Sequence, residues 1–255
     1  MKNKSGQILL ITVMLLATVM TIVLSVSFKS ATDTQITKLE EESQKALPAA
    51  ESAIEVALKE NQSLTFGPNI ANSLSSITGF EGSATIDLTT STQFTTPSIP
   101  KDGSYTFYLG NYDVTTKIIG ASTNQNITLC FQSGTPNPAI EVTLVKSSSV
   151  KKYVVDPSSR ITNASTGSSC APDTTNYSYS TNIPGGDIGA DGQFLLVRVL
   201  YTSTKLFFSA SFNFPIQGRT ISSQATSSTS TGVSKKVVLF QSYPQIPGEF
   251  FTTSF

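Results

Sequence analysis

The chain has 255 residues, and 17 Lys plus Arg balance 17 Asp plus Glu, so its formal net charge is zero. It contains no His and only two Cys, which excludes Ser-His-Asp, Cys-His and His-ligated zinc chemistry as well as a four-cysteine metal site. Zero net charge and charged residues at only 13% also argue against a nucleic-acid surface as the main role.

The first element is a run from Ile8 to Phe28 that holds no charge, Gly or Pro. At 1.5 Å per residue, such a helix matches the roughly 30 Å hydrocarbon core of a bilayer. Lys2 and Lys4 stand before it, and Lys29 and the acidic stretch Glu40-Glu41-Glu42 follow it. A short basic flank stays in the cytoplasm, which places the rest of the chain on the other side of the membrane. Three readings fit this segment. It is a secretory signal cut at Ser25-Val26-Ser27 before Phe28, although the apolar stretch exceeds a usual signal core. It is a plain signal anchor. Or it follows a short basic leader ending in Gly6 that is removed on the cytoplasmic side, leaving the helix on the mature chain.

The helical pattern does not stop at Lys29. Ile36, Leu39, Ala46, Leu47, Ala50, Ala53, Ile54, Ala57 and Leu58 recur mostly at spacings of three and four, which puts them on one stripe. Glu41 with Lys45 and Glu55 with Lys59 are i,i+4 pairs in the favourable order. Only Pro48 interrupts the run, and a kink or short break is expected there. The expectation is therefore a helix over residues 7–60, with a membrane-spanning segment 8–28 and an amphipathic segment 29–60.

Two motifs on this helix resemble a known family. Lys4-Ser5-Gly6 followed by Gln7 and an apolar helix looks like a type IV prepilin. Gln44-Lys45-Ala46-Leu47-Pro48-Ala49-Ala50-Glu51-Ser52-Ala53-Ile54 resembles the Q-x-A-x-x-A-A-E-x-G/A-L pattern of PilX-like minor pilins and related pseudopilins. The resemblance implies a leader 1–6, cleavage after Gly6 by a prepilin peptidase, and N-methylation of Gln7. It implies that Ile8, Ile11, Leu15 and Phe28 lie on the transmembrane and assembly helix. It also implies other pilin subunits, the pilus platform protein and an assembly ATPase as partners. A weaker match covers Arg219 to Ala225 and Gly232 to Val238, which look like the last hairpin of the same group. Major pilins carry Glu at the fifth mature position, where this chain has Ile11. A buried amine without that carboxylate is costly, so the resemblance points to a minor, initiating or tip subunit.

From Asn61 onward the pattern changes to turns and short alternating runs. Residues 62–80 read as an aperiodic crossover. Strands are expected at Ala84–Thr89, Tyr105–Leu109, Tyr112–Ile119, Ile127–Gln132, Ile140–Lys146 and Val150–Val155. Phe194–Tyr201 and Phe208–Phe214, joined through Thr202-Ser203-Thr204, read as an antiparallel hairpin. Arg219–Thr226 and Lys235–Gln241 read as a second hairpin around a Ser-rich tip, and the two prolines of Tyr243–Pro247 keep that tail extended. The expected fold class is α+β: a long N-terminal helix and one mainly antiparallel β head over residues 61–255.

Cys130 and Cys170 form an even pair in a chain expected outside the cytoplasm, so a disulfide is the economical reading. Closing a loop of about 40 residues contributes roughly 4 kcal/mol in the chain-entropy model. The alternative is two free thiols with Cys130 buried. Asp187 and Asp191 sit in a Gly-rich loop as a weak calcium candidate, lacking the spacing of an EF-hand loop; a turn cluster is the simpler role. Lys151-Lys152 and Lys235-Lys236 read as charges on edge strands, too few for DNA capture. The Asn-x-Ser/Thr triplets at Asn61, Asn126, Asn163 and Asn176 are expected by chance in a Ser- and Thr-rich chain. No catalytic set, resident metal or cofactor is indicated. The expected function is structural: a cell-surface pilus or pseudopilus subunit whose head serves assembly, adhesion or substrate contact. The alternative is a singly anchored extracellular β-domain acting as an adhesin or binding module.

Overall fold

Ser5–Glu60 form one helix, α1, of 56 residues, about 84 Å long at 1.5 Å per residue. The computed structural model describes residues 5–68, 70, 74, 77–88, 90–228 and 232–248; most of the expected leader, residues 1–4, lies outside them. The helix runs through Pro48 without the expected break. Losing one backbone hydrogen bond there is outweighed because Ala46, Ala49 and Ala50 around it are packed. The helix ends where Asn61 adopts φ 53°, the left-handed conformation that Asn tolerates best after Gly.

The chain divides into two compact units, 1–86 with 221–239, and 87–220 with 240–255. Residues 61–86 and 221–239 group with the helix in the first unit. In the first unit, β1 (Leu64–Phe66), β2 (Phe80–Asp87), β11 (Gly218–Ser227) and β12 (Ser234–Ser242) form a four-stranded sheet in the order β1-β2-β11-β12. Ala46, Ala49, Ala50, Ala53, Ile54 and Ala57 of α1 join Phe66, Phe80, Ala84, Ile221, Ala225 and Val233 in one buried cluster. Alanine at five of these six helix positions lets the backbone of α1 approach its sheet closely. The sheet is tight as well: a Cβ on Gly82 of β2 would lie 1.8 Å from the carbonyl oxygen of Gln224.

The second unit holds two more antiparallel sheets. β3 (Gln93–Thr95), β10 (Leu206–Ser209), β5 (Ile127–Phe131) and β8 (Tyr179–Ile183) form one, in that order. β4 (Ser104–Tyr108), β9 (Gly192–Leu200), β6 (Ala139–Lys146) and β7 (Val150–Val155) form the other. Their inner faces share a core in which Phe107 of β4 stacks on Phe208 of β10 at 4.0 Å, with Phe214 edge-on to Phe107 at 5.0 Å. A short helix, α2 (Gly185–Ile188), links β8 to β9.

Two expected strand assignments are corrected. Tyr112–Ile119 is a turn: Asp113 Oδ1 accepts the N–H groups of Thr115 and Thr116, and only Tyr112 and Ile119 pair. β9 and β10 do not form a hairpin, because they belong to different sheets and the chain reverses through Tyr201 at φ 71°. β10 stops at Ser209, and Phe214 beyond it is buried in the core from a loop. The β11–β12 hairpin is present as expected. Its tip residues 229–231 and the expected strand end Thr89 lie outside the described residues.

The outer edge of β4 is closed by side chains. Gln217 accepts the Tyr108 N–H at 2.8 Å and donates to the Tyr108 carbonyl at 2.9 Å. Gln245 does the same for Thr106, at 2.7 and 3.4 Å. Two primary amides thus imitate the backbone of a neighbouring strand at Thr106 and Tyr108.

Two substitutions test this packing. Ala53→Leu inserts three carbons into the helix–sheet seam and should lower stability by about 1–3 kcal/mol, read as a lower melting temperature. Gln217→Met keeps the volume but strands the Tyr108 N–H and carbonyl, costing about 2 kcal/mol in the same measurement.

Candidate functional site

The apolar half of α1 is the feature that the rest of its unit leaves uncovered. From Leu9 to Phe28 every residue is exposed; Leu15 stands at 61%, Ile11 at 58% and Phe28 at 66%. The chain thus presents one helix long and apolar enough to cross a membrane. The only polar residues between Leu9 and Leu24 are Thr12, Thr18 and Thr21. Their hydroxyls donate to the carbonyls of Leu9, Leu15 and Ala17 within the helix. A threonine bonded back to its own helix leaves no hydroxyl hydrogen unsatisfied in a non-aqueous surrounding. The polar side chains are therefore compatible with the apolar ones.

Gly6 and Gln7, the expected cleavage pair, lie on the first turn of α1, and Ile8 follows them. Beyond Phe28 the surface of the helix becomes charged, with Lys29, Asp33 and Lys38 exposed. Ile36 and Leu39 remain 48% and 43% exposed, although they continue the stripe that is buried further along.

The expected motif 44–54 splits into two faces. Ala46, Ala49, Ala50, Ala53 and Ile54 are in the core of the first unit, whereas Gln44 and Glu51 are exposed. Its alanines hold the helix to the sheet, and Gln44 and Glu51 point away from that contact. Lys45 and Glu41 pair at 2.5 Å on the exposed face.

In the second unit, Cys130 of β5 is bonded to Cys170, with Cα atoms 5.7 Å apart. The bond is buried beside Tyr177 and Phe207, whose rings stack at 5.0 Å. Asp187 and Asp191 are taken by different lysines. Asp187 accepts from Lys151 at 2.6 Å and from the Tyr153 hydroxyl at 2.7 Å, and these bonds hold its carboxyl below the usual range. Asp191 accepts from Ser148 at 2.8 Å and pairs with Lys146 at 3.1 Å, with the same effect. A calcium ion there would have to displace two ammonium groups. Among the described residues, no group of three or more His, Cys, Asp or Glu side chains gathers that could hold a metal ion. The loop is a charge-paired turn.

Sequence reasoning passed over the anchor of the loop after β7. The Asp156 carboxylate is fully buried. It receives the guanidinium of Arg160 at 2.7 Å and the backbone N–H groups of Ser158, Arg160 and Ile161. Arg160 also lies 3.7 Å over the Tyr201 ring. The i,i+4 spacing of Asp156 and Arg160 was the available signal, but in a loop it carries no helical meaning.

No family model, curated protein or solved structure matches this chain.

The Arg160 guanidinium, with the backbone donors, holds the Asp156 carboxyl below the ordinary carboxylate range. A depressed folded pKa gives stability that is complete above the unfolded value and is lost as pH falls through the folded one. Asp156→Asn should therefore lower the stability of this unit at pH 7 by about 1.5–3 kcal/mol. It should also flatten the loss of stability on acidification below about pH 4, measured as melting temperature against pH.

Proposed function

We propose that this chain is a membrane-inserted structural subunit, a minor type IV pilin-like protein or pseudopilin, that joins a pilus or secretion pseudopilus through α1. The observation that carries the reading is the division of labour along one unbroken helix. Residues 9–28 are exposed throughout and almost wholly apolar, and the second half is built into a β-sheet core. A rigid continuation from membrane stem to folded unit suits a subunit that must be moved as one piece. An anchor followed by a flexible linker would suit a tethered domain instead.

The mechanism is association of α1 with like helices, followed by its extraction from lipid. The back-bonded threonines between Leu9 and Leu24 support that transfer, since apolar neighbours replace apolar lipid at little cost. Ile11 gives the subunit no carboxylate to pair with a neighbouring amine, which favours a minor position over the shaft. The two β-units would be displayed outside the cell for assembly, adhesion or substrate contact. A prepilin peptidase, a platform protein and an assembly ATPase are the partners this role requires.

The mature N-terminus tests the proposal. Mass spectrometry of the protein purified from its native membrane should show a chain beginning at N-methylated Gln7, and Gly6→Val should leave the leader attached. An intact Met1 would instead support a singly anchored binding domain. A start at Phe28 would mean a secreted one.

A further inference from the structure

The three sheets have six outer edges, and five of them are short or covered. β1 and β3 have three residues each. β4 is closed by Gln217 and Gln245. β8 is met by the loop residue Ser168, which exchanges both backbone hydrogen bonds with Ser180. β7 is partly met by Ser165, and its lysines are neutralised: Lys151 pairs with Asp187 and Lys152 with Glu141 at 2.8 Å.

β12 is different. It has nine residues, lies at the end of its sheet, and is exposed along almost its whole length. Val238 and Leu239 are 59% and 41% exposed. Lys235 and Lys236 precede them, and neither makes an ion pair among the described residues. The direction of its backbone groups follows from the hydrogen bonds at its two ends. Ser227 N–H donates to the Val233 carbonyl, and Tyr243 N–H donates to the Gln217 carbonyl. Both bonds join β12-side residues of odd number to the β11 side. Alternation along an antiparallel pair then aims the N–H and carbonyl groups of Ser234, Lys236, Val238 and Phe240 outward.

We propose that the outer edge of β12 is a docking site for an extended segment of a partner protein. The segment adds as a fifth strand, with apolar residues beside Val238 and Leu239 and carboxylates beside Lys235 and Lys236. The outward backbone groups specify a strand as the occupant, and the apolar side chains supply its contact area. Two unneutralised lysines select its charge: they oppose neutral or basic strands and favour an acidic one. No residue of α1 takes part, so the site stands or falls separately from the fate of the stem.

The test uses the full chain in lipid nanodiscs and two labelled nine-residue peptides. Each has an alternating Val-Thr centre; one carries two Glu at both ends, the other two Lys. The acidic peptide should bind about tenfold more tightly than its basic twin at low salt, by fluorescence anisotropy. Lys235→Glu with Lys236→Glu should exchange that preference. Val238→Pro removes one outward N–H, which an edge strand tolerates, and should abolish binding at an unchanged melting temperature. If Val238→Pro itself lowers the melting temperature, the surface charge reversal still decides. Equal affinity for the two peptides, no binding of either, or undiminished binding by a folded Val238→Pro protein would overturn the proposal. So would a dimer of the chain that Val238→Pro dissolves, which would give the edge to a second copy.

Discussion

The contact between the alanine seam of α1 and its sheet is the constraint on which the first unit depends. A β-sheet of four strands with one apolar face needs a cover, and here the cover is half of the long helix. Ala46, Ala50, Ala53 and Ala57 are fully buried, so the seam is filled by backbone proximity and not by bulky side chains. The larger side chains come from the sheet: Phe66, Phe80 and Ile221 supply the volume that the alanines leave. The arrangement also fixes the helix through Pro48, since the residues that would open a break are those pinned to the core.

The second unit is organised around a different solution. Its core lies between two sheets and is closed by stacked phenylalanines, a buried disulfide and the Asp156–Arg160 anchor. Its charged groups are largely spent on one another, as at Lys151–Asp187 and Lys146–Asp191. Its main segment, residues 87–220, lies in the chain between β2 and most of β11, two strands that are neighbours in one sheet. The sheet is thus assembled from segments separated by more than a hundred residues, a non-local pairing that only the finished structure can exhibit.

Much of this was legible in the residues. The charge-free run to Phe28 and the three-and-four spacing beyond it appear as one continuous helix, and of the two readings of the cysteine pair the structure holds the disulfide. The β11–β12 hairpin was legible because a Ser-rich tip separates two alternating runs. What failed was partnership. Phe208–Phe214 alternates as a half-buried strand should, yet only Leu206–Ser209 is paired, because Phe214 reaches the same core from a loop. Tyr112–Ile119 has β-prone residues, but Asp113 captures the backbone N–H groups of Thr115 and Thr116 first. Alternation reports which side is buried and is silent about which strand lies alongside. For the same reason, the alanine motif could be seen as a stripe while the sheet beneath it could not. The glutamine pair at β4 was invisible, because nothing local marks a side chain that will stand in for a strand.

The back-bonded threonines of the stem have a consequence for any helix that would pack against it. With the Thr12, Thr18 and Thr21 hydroxyls turned inward to their own carbonyls, the rod from Leu9 to Leu24 has no directional handle by which another molecule could set its azimuth. Only the relief of its methyl and isobutyl groups distinguishes one longitude from the next. Were the stem to pack against other helices, its orientation about the long axis would be dictated from the far end, where the helix is built into the sheet of its own unit.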